Sequence, residues 1–433
     1  MTRRARWWLV LAGVAVLVAG IGFGLSGRPD PAERLEAQAR RYVTLALSLR
    51  TISPDDVDDY FGPAELMPSA PLPPDVLQVE LAALADALRA DEARASMARR
   101  ARLLARVEHL QALLGVIEVP RSLDLDAQGR AIFGVTPLPV DRAAMAAARA
   151  ELEALLPGDG ELIDRLTAFR ARYVIPRETG KAVFMRALAE CRARTLAVWN
   201  LPADEALEVE WDNRIPAAWH HYLGGHRSRL QVYPGATMDP ASALDMACHE
   251  AYPGHHAQFL LMDARADGLP VEETLVLLRS PQSALREGAA NFGVSLVFPA
   301  AEREAFMRDE LFPMVGFAPD EAARYEAVHR LAGQFSSAVV PILKDYRAGR
   351  LTRNAAAQAL GREALVSSPE ALIAFFDRYG ALVLGYTVAE ARVRAAVMAA
   401  DDRWARLADI VSGLELAVLR GEDGRPPDAR AGR

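Results

Sequence analysis

Along most of this chain apolar side chains recur every three or four positions, and only between Ala206 and Tyr233 does the period fall to two. That pattern restricts the fold to amphipathic helices packed on one another around one small sheet. Helices are expected over Ala32–Leu49, Val76–Val116, Arg142–Leu156, Glu161–Tyr173 and Thr179–Asn200, with Leu81, Leu84 and Leu88 on one stripe. Pro157-Gly158-Asp159-Gly160 breaks two of them apart. Ser53–Pro74, rich in Pro and Asp, reads as irregular, and Asp124–Pro139 as a loop with at most short strands. Leu207–Trp211 alternates as a strand, and Gly224-Gly225 is placed to turn a hairpin into Ser228–Tyr233. The chain then returns to helix until about Leu419 and shows no internal repeat. The class is mainly α (α+β): a single helical domain over 32–419 with a small antiparallel sheet, then a disordered tail at 420–433.

The N-terminus has a different character. Arg3, Arg4 and Arg6 form a basic stub at 1–6, and Trp7–Leu25 carries no charge. At about 1.5 Å per residue this run just crosses a hydrocarbon core of about 30 Å. A cleaved signal peptide competes, but the length of the run and the lack of a small-x-small site before Ser26 favour a transmembrane signal anchor. The arginines would stay in the cytoplasm. The expectation is a single-pass protein of the bacterial inner membrane, with a linker at 26–31 and its domain facing the periplasm. Elsewhere 50 Lys+Arg stand against 57 Asp+Glu, net −7, with no basic run, which argues against nucleic acid as a partner. Cys191 and Cys248 cannot build a disulfide framework and are expected to be free thiols, Cys248 on an apolar helix face.

Three of the eight histidines fall in His249-Glu250-Ala251-Tyr252-Pro253-Gly254-His255-His256. Asp239-Pro240 opens the helix that carries them, as N-cap and first turn. Leu244, Ala247, Cys248 and Ala251 mark its buried face, so His249 and Glu250 project from the edge. In the familiar H-E-x-x-H pattern the two imidazoles share one face. Here the fourth position after His249 is proline. On an unbroken helix His255 would point about 240° away and lie about 9 Å further along. Pro253 breaks the helical hydrogen bonding, and Gly254 is free to take backbone angles closed to other residues. Such a break can swing His255 or His256 back toward His249. Hydrolytic zinc sites take three protein ligands and leave room for water. The best third ligand is Glu287, on a helix opened by Ser280-Pro281 and followed by Gly288, Ala289 and Ala290, which permit close helix approach.

His249–His256 resembles the H-E-x-x-P-G-H-H signature of the bacterial domain of unknown function 885 family, which is grouped with zincin-like metallopeptidases. Asp55–Pro63, Ala131–Val135, Arg227–Val232, Ser280–Gly288, and Phe376–Tyr379 through Tyr386-Thr387-Val388 are similar to further family segments, so the likeness runs over roughly residues 40–400. The resemblance implies a zincin-like helical metallohydrolase with His249, His255 and Glu287 as ligands of Zn2+, and His256 holding a ligand or contacting substrate. The chain departs from the family at Ala289 and Val294, at Arg286 where a neutral residue is usual, and at Ala389 where a glycine is usual.

The chemistry these residues would support is hydrolysis of a peptide or small amide. Glu250 would act as general base and Tyr386 as oxyanion donor, with Arg378 or Tyr379 as weaker choices for that role. Arg229 and Gln231 would bind an extended peptide by strand addition. His220, His221 and His226 read as a solvated or core-edge cluster, and His109 and His329 as structural. A catalytically inactive metal-binding protein and a membrane-tethered helical scaffold are the competing readings.

Overall fold

The apolar spacing folds as helix wherever it persists. The computed structural model describes residues 30–421 except 92, 94, 95, 121, 215–217, 235–237 and 266–267. The expected stub and membrane segment, and nearly all of the expected tail, lie outside the described residues. Helices α1 (Pro31–Leu47), α2 (Pro74–Ala90) and α3 (Met97–Glu118) pack together as an N-terminal layer. The predicted stripe is its seam: Leu77, Leu81 and Leu84 are fully buried. Helices α4 (Arg142–Leu155), α5 (Leu162–Ala171) and α6 (Arg177–Leu196) follow.

Two segments read as irregular are ordered otherwise. Within Asp124–Pro139, Asp124 caps a helical turn at Leu125–Gln128, which runs into a π-helical turn at Gly129–Phe133 with Ile132 and Phe133 buried. Within Ser53–Pro74, strand β1 (Val57–Tyr60) pairs antiparallel with β5 (Leu275–Leu277), so the Ala206–Tyr233 region is not the chain's sole β structure. The register slips between Val57 and Asp59.

The larger sheet contains β2 (Ala206–Trp211), β3 (Ala218–Gly224) and β4 (Arg227–Val232) in the order β2-β4-β3. The β3–β4 hairpin forms as the glycines predict, with Gly225 at φ 57° and His226 at φ 62°, the pair of positive angles a type I′ turn requires. However, β2 runs parallel to β4, so the sheet is mixed and not antiparallel. Strand β4 is central, its backbone engaged on both sides. Arg229 and Gln231 therefore do not lie on a free edge, and strand addition at β4 is ruled out. Their side chains turn to the sheet's own charges: Arg229 lies 3.6 Å from Glu208, and Gln231 donates to Glu210 at 3.1 Å.

Beyond the sheet come α7 (Pro240–Glu250), α8 (His255–Asp263), α9 (Pro281–Val297), α10 (Ala300–Phe306), α11 (Ala322–Gly333), α12 (Val339–Arg347), α13 (Arg353–Ala364), α14 (Pro369–Tyr379), α15 (Val383–Met398) and α16 (Arg403–Gly413). Helix α9 packs most extensively on α15. Gly288 makes this possible, because a Cβ there would sit 2.5 Å from the carbonyl carbon of Ala389. Helix α7 buries Leu244, Ala247 and Cys248 completely, and each leucine-sized side chain so buried is worth roughly 2 kcal/mol. Cys248 faces Cys191 of α6, and the two form a disulfide rather than the expected free thiols. Their Cα atoms are 5.4 Å apart because the buried stripes of two packed helices meet there, within the usual bridging range.

Candidate metal centre

Three helix ends and faces converge beside the mixed sheet. Helix α7 starts from a reciprocal cap in which Ser242 N–H donates to Asp239 Oδ1 and Asp239 N–H to Ser242 Oγ, both at 2.9 Å. The Tyr325 hydroxyl ties down the same Asp239 and accepts from Ala241 N–H. With its start pinned and its buried face locked to α6, α7 delivers His249 and Glu250 as its last two residues. The helix then stops. The Tyr252–Pro253 peptide is cis, Gly254 N–H donates to the Cys248 carbonyl at 3.1 Å, and α8 begins at His255.

The need for glycine at 254 differs from the one expected. Gly254 has φ −73°, not a left-handed angle, but a Cβ there would lie 1.7 Å from the His249 carbonyl oxygen. The requirement is close approach of α8 to α7. This brings the His249 and His255 rings to 4.7 Å between centroids, edge to face.

Helix α9 starts where Ser280 Oγ accepts from Ser283 N–H, and it projects Glu287 between the two imidazoles. Glu287 Oε2 is 3.3 Å from His249 Nε2, and Glu287 Oε1 is 3.4 Å from His255 Nε2. One ligand atom from each residue lies within 4.8 Å of the others, so the group could hold a metal ion. Two imidazole nitrogens and a carboxylate are a donor set that zinc takes, and each imidazole approaches a different oxygen of Glu287. Glu287 Oε2 is also buried without a hydrogen-bond partner. Burial would raise the Glu287 carboxyl, but His255 and His249 outweigh it and hold it well below the carboxylate range. Burial would lower His249, yet Glu287 and then Glu250 raise it to about 9.

Glu250 is half-buried at the end of α7, near enough to influence both His249 and Tyr386. Tyr386, on α15, has its ionisation pushed far up by Glu287 first, then by burial and by Glu250. It is therefore a neutral phenol, able to donate a hydrogen bond at the group's edge. Arg378 and Tyr379 instead bind Asp55.

His256 lies apart from the cluster and has no exposed surface, so the expected substrate contact is not made. Its Nε2 meets Glu205 Oε2 at 3.0 Å and its Nδ1 meets Ser228 Oγ at 2.7 Å. An ionised carboxylate only accepts, so Nε2–H donates to Glu205 and Nδ1 accepts from the serine hydroxyl. Both ring nitrogens are occupied, and the residue fastens α8 to the sheet. Glu205, which is not among the expected site residues, also accepts from Tyr252 at 2.6 Å and from Arg192. Burial would raise its carboxyl, but His256, Tyr252 and Arg192 bring it down to about 2 from an ordinary 4.5. The stability it contributes is present above pH 4.5 and lost as pH falls toward 2. Glu205→Gln is expected to destabilise the protein at pH 7 and to flatten this acid limb, as read from denaturant midpoints across pH.

Two more residues at the centre were not singled out as site residues. The three neighbouring histidines do not form one cluster: alternation along β3 puts His220 and His221 on opposite faces, and His226 lies in the turn. His220 is buried, with its ring 6.0 Å from that of His255 and its Nε2 unpartnered, and burial keeps it neutral. His221 stacks on Trp219, and His226 meets Asp204. Asp58 sits at the slip in β1 and accepts from Trp219 Nε1; burial, with Asp59 and Glu287 nearby, raises its carboxyl to about 6. Asp58, His220, Phe259 and Arg286 line a small open pocket with His255 and Glu287. The signal for His220 was the period-two spacing that puts it on the opposite face from His221. Asp58 falls within the Asp55–Pro63 segment of the resemblance, but nothing local places it at the site, since its partner strand lies more than two hundred residues away.

No protein-family model matches this chain, and no curated protein sequence does. Among solved structures, an M32 carboxypeptidase from Deinococcus radiodurans R1 aligns at 18% identity and a TM-score of 0.45, over 91% of this chain and 93% of that one. A protein described as a lipoprotein of unknown function from Shewanella oneidensis aligns at 12% identity and a TM-score of 0.43, over 80% and 72%. Similarity at this level speaks to neither ligand nor substrate.

Proposed function

We propose that this protein is a zinc-dependent hydrolase that cleaves peptide amide bonds. The observation that carries the reading is the convergence of His249, His255 and Glu287, whose ligand atoms lie within 4.8 Å of one another and make a donor set that zinc takes. His249, His255 and Glu287 would hold the ion and leave one position open. Zinc in such a site supplies Lewis acidity and makes water a nucleophile near neutral pH. Glu250, next to the first ligand, takes the proton from the attacking water and returns it to the leaving amine. Tyr386 donates its phenol O–H to the carbonyl oxygen as negative charge develops there.

The signature at 249–256 supports the same reading through its resemblance to the domain of unknown function 885 family. In this proposal residues 7–25 anchor the chain in the inner membrane, with the domain in the periplasm. The Cys191–Cys248 disulfide fits an oxidising compartment. Protection of the domain from added protease in spheroplasts would overturn that placement.

The test of function joins metal content to turnover on one preparation. The purified domain should carry about one zinc per chain, as a single three-ligand site predicts, and should release amines from a peptide library. Glu250→Gln is expected to keep the zinc while turnover falls about 10²- to 10⁴-fold, the usual worth of a positioned general base. Zinc without turnover in the wild type would identify an inactive metal-binding protein, and no zinc would leave the helical scaffold.

A further inference from the structure

Arg286 adjoins Glu287 on α9, and it is a buried cation that no carboxylate meets in an ion-pair contact, with Glu273, Asp58 and Glu287 acting on it only from a distance. It is 4% exposed, and its Nε and Nη1 are buried with no hydrogen-bond partner. Its guanidinium carbon stands 4.9 Å from the centroid of the Phe259 ring, which steadies it without neutralising it. The acids of the pocket are already engaged: Asp58 accepts from Trp219 at 3.0 Å, Asp59 faces His221 at 3.7 Å, and Glu287 faces two imidazoles. Among the described residues Arg286 makes no ion pair. A desolvated charge left unpaired is costly, so it persists where something outside the fold completes it. The guanidinium fork matches a carboxylate, and the open pocket it lines is the one that holds His255 and Glu287.

We propose that Arg286 anchors a carboxylate of the substrate, that of the chain end, and so makes this site a carboxypeptidase that releases C-terminal residues. The inference rests on the hydrolase reading above. With Arg286 and Glu287 lining one pocket, the anchored carboxylate belongs to the residue beside the scissile bond. The C–N bond of that residue breaks, the water oxygen bonds to the carbonyl carbon, and the water proton passes through Glu250 to the departing amino group. An acidic side chain would offer the same chemistry as the chain end, and the experiment separates the two.

Binding is read first, without catalysis, in the Glu250→Gln protein. N-acetyl-phenylalanine is expected to raise the melting temperature by several degrees, while its amide does not. Arg286→Gln should weaken binding of the acid at least tenfold, and Arg286→Lys should recover part of it. Turnover is read next in the wild type, on N-acetylated tripeptides with a free or an amidated end. Amidation should slow release of the last residue at least 100-fold, and a peptide amide ending in glutamate should not be rescued by its side chain. Arg286→Gln should raise KM much more than it lowers kcat. With no ligand present, Arg286→Gln should melt no lower than the wild type, because it removes an unpaired buried charge.

A lower melting temperature together with lost zinc would make Arg286 structural and overturn the proposal. So would equal binding of acid and amide, rescue by the glutamate side chain, or cleavage that fails when the N-terminus is acetylated. Selective binding of the acid with no hydrolysis of any peptide would keep the subsite and sink the hydrolase reading. Cleavage indifferent to the C-terminus would do the reverse.

Discussion

Glu287→Ala is expected to remove zinc and turnover together. Glu287 is the one carboxylate of the three-residue group, and it approaches both imidazoles. Losing a partner that merely orients a ligand costs about 10- to 100-fold in metal affinity, so losing a direct, charged ligand should exceed about 100-fold. The two histidines left behind, 16% and 12% exposed, would have no anion between them, and the raised proton affinity of His249 would fall with its main source. Glu287→Gln keeps the volume and loses the charge, so it separates ligation from packing. Both variants should come through dialysis against a weak chelator nearly free of zinc, while the wild type retains it. Wild-type zinc content in Glu287→Ala would mean that any metal binds elsewhere, and the proposed function would fall with it.

Most of the fold was legible because it is local. Helical period, proline and glycine breaks, and the caps at Asp239 and Ser280 each act within a few residues, and most helices begin and end close to where they predict, although the stretch expected as one helix over Val76–Val116 divides into α2 and α3. What escaped is long-range. Strands β1 and β5 are four and three residues long, too short to show a period, and they meet only through tertiary packing. The β3–β4 hairpin was visible in its turn, but the parallel strand beside it has no local signature. Cys191 and Cys248, 57 residues apart, pair because α6 and α7 pack, which neither helix announces alone. In the site, residue types and spacing singled out His249, Glu287 and one of His255 and His256, while the choice of His255 and the attention to Tyr386 came with the family resemblance. Their grouping depends on α9 and α15 arriving from elsewhere in the chain. His256 was harder, since neighbouring histidines are equal candidates until Glu205 and Ser228 occupy both nitrogens of one. Arg286 showed only as an unusual residue, and its isolation exists only once the pocket's acids have found other partners.

Gly254→Ala is expected to be the most damaging single-methyl change near the site. The added Cβ would stand 1.7 Å from the His249 oxygen, 2.3 Å from its carbonyl carbon and 2.5 Å from the Cys248 oxygen. All three are backbone atoms of α7, so no rotamer change can make room. That end of α7 cannot retreat, because Ala247, Cys248 and Ala251 are fully buried and Cys248 is bonded to α6. The strain must therefore move α8, whose first residue is His255. Its second residue, His256, is held by Glu205 and Ser228, so displacing α8 also breaks a buried hydrogen-bond network. The sum belongs with the exceptional substitutions that cost more than about 4 kcal/mol. Gly254→Ala should then show a sharply lower denaturation midpoint, and any protein that folds should bind zinc far more weakly than the wild type. Gly225→Ala is the control: its glycine has a positive φ, yet a Cβ there meets nothing within 4 Å, so it should cost about 1–2 kcal/mol of backbone strain and leave zinc untouched. If Gly254→Ala behaves like that control, the close approach of α8 to α7 does not position His255, and the break in the motif has some other purpose.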